Sequence, residues 1–292
     1  MAVLLPGAPA TRARFPGGAG RRTAARHALV LLVAALMVLA LGVRAPAARA
    51  SGTRKGISVT SVSGAAQALA DVGAHWFYNW SATPAGVAQP PGVEFVPMIW
   101  GAGSVTDANL AQAAQHGTEL LGFNEPDLGG QANMSVQQAL DLWPRLQSTG
   151  LRLGAPAVAY GGDTPGGWLD QFMSGAASRG YRVDFIPLHW YGGDFSSAAA
   201  GELRSYLQNV HNRYHKPIWL TEYALTDYST STPRYPTGQQ QADFINAANT
   251  MLNGLSFVEK SAWFTLSAAS SPTGLYNGTV PNAAGVAYRA LG

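Results

Sequence analysis

The sequence predicts an α/β protein with one catalytic domain, a (β/α)8 TIM barrel, and three observations carry that expectation. Eight short apolar runs alternate with amphipathic stretches from residue 51 to the end of the chain. The runs are apolar at successive positions, as strands of a parallel sheet covered on both faces must be. About 240 residues carry them, close to the roughly 250 typical of this architecture. A doubly wound open sheet is the competing arrangement, but no glycine-rich phosphate loop follows the first run.

The domain begins after a segment of different composition. Residues 1–50 hold Arg12, Arg14, Arg21, Arg22, Arg26, Arg44 and Arg49, no acidic residue, and an uncharged apolar stretch from Ala28 to Val43. The segment as a whole ends at Ala48-Arg49-Ala50. Basic residues, a short apolar core and small residues at its exit predict a signal peptide over 1–50, leaving a secreted mature chain 51–292. An uncleaved membrane anchor is the other reading, and Arg21-Arg22 raises twin-arginine export as a route. The net charge of +3 includes those seven arginines, so the mature chain carries about −4 and offers no basic patch for nucleic acid. With no cysteine, an exported life needs neither disulfides nor thiol chemistry.

In chain order the predicted strands are Lys55–Thr60, His75–Trp80, Glu94–Trp100, the run ending at Glu125, Leu151–Ala157, Val183–Tyr191, Pro217–Tyr223 and Ser261–Leu266. Between them lie helical patterns. Ser135 and Gln138 stand at capping-box spacing before Val136, Leu140, Trp143 and Leu146, which share one face. Leu203, Leu207, Val210 and Tyr214 repeat that period, as do Phe244, Ile245, Ala248 and Leu252. The loops 158–167 and 225–238 are long enough to shape a binding site.

Barrels of this kind work at the C-terminal ends of their strands. The fourth run ends in Asn124, Glu125 and Pro126, and Pro126 cannot donate a further ladder bond. Glu222 ends the seventh run, so two carboxyl groups face one mouth. Around them the strand ends carry Tyr78, Asn79, Trp80, Trp100, Asn124, His189, Trp190, Tyr191, Tyr223 and Trp263. Aromatic faces suit the C–H faces of pyranose rings, and amide, imidazole and phenol groups suit sugar hydroxyls. Cleaving a glycosidic bond needs one carboxylic acid to protonate the leaving oxygen and one carboxylate to attack or to activate water. Trp80, Trp100, Trp190 and Trp263 are expected to line the cleft. Trp76, Trp143 and Trp168 are expected in the core or in helix packing, and Trp219 fits either the core or the cleft.

The motifs "LLGFNEPD", "FVPMIWG", "DFIPLHWY" and "PIWLTEYA", with "AWF" and "VAYRALG" near the end, resemble glycoside hydrolase family 128, the glycosyl-hydrolase catalytic-core proteins. The resemblance runs from Lys55 to the C-terminus. It implies a retaining clan A barrel acting on β-1,3-glucan, with Glu125 as general acid/base and Glu222 as nucleophile. It implies further that Asn124 holds the hydroxyl beside the reacting carbon, and that Tyr191 or His189 lies near the nucleophile. Substrate-binding positions are then Asn79, Trp80, Trp100, Asn124, His189, Trp190, Tyr191 and Trp263.

Other chemistries fit less well. His211 and His215 stand four apart on one helical face, but the metal-binding H-E-x-x-H pattern lacks its glutamate here, so no metal and no cofactor is expected. Lys55, Lys216 and Lys260, the only mature lysines, precede strands and point to the barrel bottom, which disfavours Schiff-base chemistry at the mouth. The resemblance thus implies a monomeric β-1,3-glucanase whose partner is the polysaccharide, endo-acting, with exo action as the alternative mode. A clan A hydrolase of β-1,4-glucan or mannan, or a wall-bound glucan-binding protein without turnover, remains as an alternative.

Overall fold

The computed structural model describes residues 54–291. The predicted signal peptide lies outside them. All eight predicted runs overlap a strand: β1 (Arg54–Ser58), β2 (Trp76–Tyr78), β3 (Glu94–Phe95), β4 (Glu119–Leu120), β5 (Arg152–Leu153), β6 (Ile186–Gly192), β7 (Ile218–Leu225) and β8 (Val258–Trp263). The helices between and after them are α1 (Ala65–Asp71), α2 (Asp107–His116), α3 (Val136–Gln147), α4 (Trp168–Ser178), α5 (Ala199–Tyr214), α6 (Gly238–Asn253) and α7 (Ala283–Arg289).

Six strands form one sheet in the order β3-β2-β1-β8-β7-β6, and β4 pairs with β5, all in parallel. Single parallel bridges join the two sheets at both edges, Met98 to Leu121 and Gly154 to Phe185. The neighbours thus run around a closed ring, which leaves no open edge. Where β4 and β5 converge, the backbone leaves no space for a side chain: a Cβ on Gly122 would stand 2.8 Å from the Gly154 carbonyl oxygen.

Two apolar layers follow from the alternation of side chains along each strand. Trp76, Tyr78, Val96, Met98, Leu121, Phe185, Trp219 and Ala262 pack together as one cluster inside the ring. A larger cluster, including Ile57, Phe77, Trp143, Phe172, Leu203, Phe244 and Trp263, seals the helices to the outside. Trp76 and Trp143 are core residues as expected, Trp168 packs half-buried against the outer cluster, and Trp219 belongs to the interior.

The helix starts follow their sequence signals. The Ser135 hydroxyl accepts from the Gln138 N–H at 3.1 Å, while the reciprocal capping box forms elsewhere, between Thr237 and Gln240 at the start of α6. His211 lies flat on Phe257, 4.1 Å between ring centroids, and His215 caps α5 in a left-handed conformation.

One expectation is corrected at the barrel floor. Lys55 and Lys260 lie within β1 and β8, not before them. Lys260 is buried inside the ring, its Nζ 3.0 Å from Glu94, 3.5 Å from Glu119 and 4.1 Å from the Trp219 ring centroid. Burial raises both carboxyls. A hydrogen bond between the two acids then lowers Glu94 and raises Glu119; with Lys260 and Arg54 also pulling it down, Glu94 lies below the ordinary carboxylate range, while Glu119 stays above it despite Lys260. The cation binds two acids and an indole face; Arg54 also reaches Glu94 at 2.8 Å, but removing Lys260 takes away the buried cation that faces both carboxyls. Lys260→Met is expected to lower the unfolding free energy by about 3 kcal/mol, measured by denaturant titration. Adding Glu94→Gln and Glu119→Gln should recover most of that loss.

Candidate active site

Glu125 sits five residues beyond the last ladder position of β4, and its backbone bends back sharply, at φ 44°. A left-handed residue other than glycine costs on the order of 1–2 kcal/mol, so the fold must hold it there. It does so with three main-chain bonds. The Glu125 N–H donates to the Ala157 carbonyl at 2.7 Å, the Glu125 carbonyl accepts from Leu128 at 3.1 Å, and Pro126 accepts from Met134 at 2.9 Å. Trp80 is left-handed too, at φ 57°. Both turns aim a side chain into the barrel mouth.

Glu222 lies within β7 rather than at its end, which corrects the expected boundary. The pairing of β7 with β6 shifts register between Leu188 and His189, opposite Glu222, and the pairing with β8 shifts between Leu220 and Tyr223. Such irregularities re-aim side chains at barrel rims. Here they bring His189 and Glu222 to the same cavity wall.

The two glutamates and His189 each place one donor atom within 4.8 Å of the others, and all three are buried. His189 Nδ1 stands 2.8 Å from Glu125 Oε1, and its Nε2 stands 3.7 Å from Glu222 Oε1. Glu222 receives donors on both oxygens: Trp80 Nε1–H at 2.9 Å and the Tyr78 hydroxyl at 3.2 Å on Oε1, the latter shared with the Thr221 carbonyl at 3.0 Å, and the Tyr191 hydroxyl at 2.5 Å on Oε2. Burial first, and then the Glu222 charge, push the phenols of Tyr78 and Tyr191 well above their ordinary range, so both remain O–H donors. By distance alone the three groups could hold a cation. Hydrogen-bond donors face both Glu222 oxygens, two on Oε1 and one on Oε2, an arrangement that suits a carboxylate held for nucleophilic attack beside a proton-transferring partner.

A cavity of about 900 Å³ opens over these groups. Of the predicted substrate-binding residues, Trp80, Trp100, Asn124, His189, Trp190 and Tyr191 line it. Asn79 does not: its Nδ2 donates to the Thr83 carbonyl at 3.0 Å and braces the turn after β2. Trp263 is likewise misplaced in the sequence reading. It is fully buried outside the ring against Tyr223, Phe244 and Tyr288, its Nε1–H bonded to the Thr273 carbonyl at 2.8 Å. Successive residues of a strand face opposite sides, and in β8 Lys260 and Ala262 face inward. The inward place at the mouth therefore falls to Phe264, which meets Trp80 and Tyr191 edge-on at 5.9 and 5.7 Å.

Sequence reasoning also missed Tyr160, Tyr228, Leu128 and Gln131, all of which line the cavity. Tyr160 and Tyr228 ride on the two long loops that had been singled out, but nothing in a loop's composition says which of its tyrosines turns inward. Asp227, buried in the second loop, pairs with Arg234 across an antiparallel bridge and so holds Tyr228 against Tyr191.

A family model described as "Glycosyl hydrolase catalytic core" matches residues 56–288. The chain belongs to that family. Alkali-sensitive linkage protein 1 of Schizosaccharomyces pombe is 33% identical over 199 residues, 66% of this chain and 34% of that protein, so the chain spans about a third of its curated relative. Among solved structures, a GH128 subgroup I endo-β-1,3-glucanase from Amycolatopsis mediterranei, in complex with laminarihexaose, is 70% identical with a TM-score of 0.81, covering 82% of this chain and 100% of that one. A subgroup II endo-β-1,3-glucanase from Sorangium cellulosum is 30% identical, TM-score 0.70, over 82% of this chain and 98% of its own. A subgroup III curdlan-specific exo-β-1,3-glucanase from Blastomyces gilchristii is 26% identical, TM-score 0.66, over 81% and 97%. The likeness to family 128 read from the motifs is thereby borne out. Different structures of the Amycolatopsis enzyme carry substitutions at one of two glutamates, which stand as many positions apart as Glu125 and Glu222 do here.

His189 lies between both carboxylates, and its titration reports on them. Burial pulls its pKa down, but Glu222, Glu125 and Asp127 together outweigh burial and raise it. A raised folded value means that His189 stabilises the fold below the ordinary histidine range near 6.5, and that this contribution is lost as the pH rises through the raised value. The ring should therefore titrate above 6.5 in a pH series of nitrogen-15 NMR spectra, and Glu222→Gln should lower that midpoint.

Proposed function

We propose that this chain is a retaining endo-β-1,3-glucanase, with Glu125 as general acid/base and Glu222 as nucleophile. The observation that carries the proposal is the close approach of the two side chains: one oxygen of each lies within 4.8 Å of the other. Retaining hydrolases hold their carboxyls about 5–5.5 Å apart, whereas inverting ones leave roughly 6.5–9.5 Å for a water.

Glu125 donates its proton to the bridging oxygen as the bond from the anomeric carbon breaks. Glu222, oriented by Trp80, Tyr78 and Tyr191, attacks that carbon and forms a glycosyl ester. Glu125 then takes a proton from water, which attacks the ester and frees Glu222. In that second step His189, against Glu125 Oε1, faces the carboxylate left by the first proton transfer.

The substrate and the endo mode rest on kinship. Endo-β-1,3-glucanases are among the relatives that resemble this chain over their whole length, and one was crystallised with laminarihexaose. Aromatic side chains from several strand ends, Trp80, Trp100, Trp190 and Phe264, face the cavity from different sides, which suits a coiled β-1,3-glucan better than a flat β-1,4-linked chain. The protein is proposed to act as a secreted monomer after cleavage behind Ala50. Among the described residues no helix is long and apolar enough to cross a membrane.

Four measurements check this reading. Proton NMR of early products should show the β-anomer first, and an α-anomer would exclude the retaining route. Glu222→Ala should lose activity on every substrate, with azide restoring cleavage to an inverted product. Glu125→Ala should retain turnover only of substrates whose leaving group departs without protonation, and exchanged phenotypes would reverse the roles. Laminarin should be hydrolysed and cellulose, xylan and mannan spared; release of sugars from mannan with laminarin untouched would refute the substrate.

A further inference from the structure

Beyond Glu125 the chain curls back over its own strand end. Leu128 N–H donates to Glu125, Gln131 N–H donates to Leu128 at 3.0 Å, and Ala132 N–H returns to the Asn124 carbonyl at 3.2 Å. This turn sets the Gln131 side chain beside that of Asn124. Asn124 Nδ2 donates to Gln131 Oε1 at 3.3 Å, and both side chains line the cavity. Among the described residues, Asn124 Oδ1 is buried and has no hydrogen-bond partner. A buried carbonyl without a donor is costly, so its position in a cavity wall points to a donor that arrives with the ligand.

An asparagine amide presents a donor on one side and an acceptor on the other. A neighbour that accepts from the nitrogen turns the oxygen the other way. The backbone of Asn124 is fixed by the bond from its N–H to the Trp100 carbonyl at 2.9 Å, so rotation of the amide is the main freedom left to it.

We propose that Gln131 is a positioning residue: by accepting from Asn124 Nδ2 it turns Asn124 Oδ1 toward the reacting sugar, where it accepts the hydroxyl adjacent to the anomeric carbon. The inference rests on the glycosidase reading of this cavity. To the Asn124 contact that the family resemblance implies, it adds the residue that orients the amide, Gln131. Gln131 touches Asn124, not the reacting atoms.

The test uses the complete mature enzyme and two donors, p-nitrophenyl β-laminaribioside and its analogue lacking the 2-hydroxyl on the sugar that bears nitrophenol. The readout is the ratio of kcat/KM for the first over the second, in which general effects on folding or on the dyad cancel. Wild type should prefer the 2-hydroxy donor. In Gln131→Leu that preference should fall about tenfold, because the amide is no longer held. In Gln131→Glu, which keeps an acceptor at the same place, it should stay within about threefold of wild type. Circular dichroism and thermal melting establish that each variant is folded. An unchanged preference in Gln131→Leu, or one lost equally in both variants, overturns the proposal. If wild type turns over neither donor, the glycosidase reading fails and this inference with it; turnover of the parent donor separates the two failures.

Discussion

The site depends on a single constraint: two carboxyl groups must share one small, buried space. Two carboxylates this close repel each other unless other groups stand between them. His189 stands between them, with a nitrogen toward each. The donors are distributed unequally. Glu222 faces two phenols and an indole, while Glu125 has the imidazole and an open cavity. That asymmetry separates a group fit to attack from a group fit to exchange protons, and it is built from side chains on β2 and the loop after it, on β6 and on β7.

The rest of the barrel makes that arrangement affordable. Left-handed turns at Glu125 and Trp80 cost stability, and the register shifts in β6 and β7 interrupt ladder bonds. Against these stand two apolar layers and a floor where Lys260, Glu94 and Glu119 close the ring beneath Trp76 and Trp219. The strain collects at the mouth and the packing lies below and around it. This division is expected of a fold whose strands provide stability and whose strand ends provide chemistry.

Much of this was legible in the chain because the physics involved is local or periodic. Eight apolar runs separated by helical periods specify the ring, and a proline directly after Glu125 marks where the fourth run leaves it. The family motifs then single out both glutamates. What escaped depends on facing, which a one-residue offset reverses: Trp263 and Phe264 are neighbours, both aromatic, and only the pleat decides which of them meets the cavity. Asn79 turned out to brace a turn, and Lys260 to sit among acids that lie far away in sequence. Long-range pairing of that kind leaves no periodic trace, and neither does the inward turn of Tyr160 and Tyr228 on their loops.

The central claim is that Glu222 forms a covalent bond to sugar. It is tested most directly by incubating the enzyme with an activated 2-deoxy-2-fluoro β-laminaribioside, which slows release of the intermediate, and locating the adduct by peptide mass spectrometry. The account predicts one disaccharide per protein, on the peptide that contains Glu222. A label on Glu125, or steady turnover of this donor with inversion and no adduct, would contradict it.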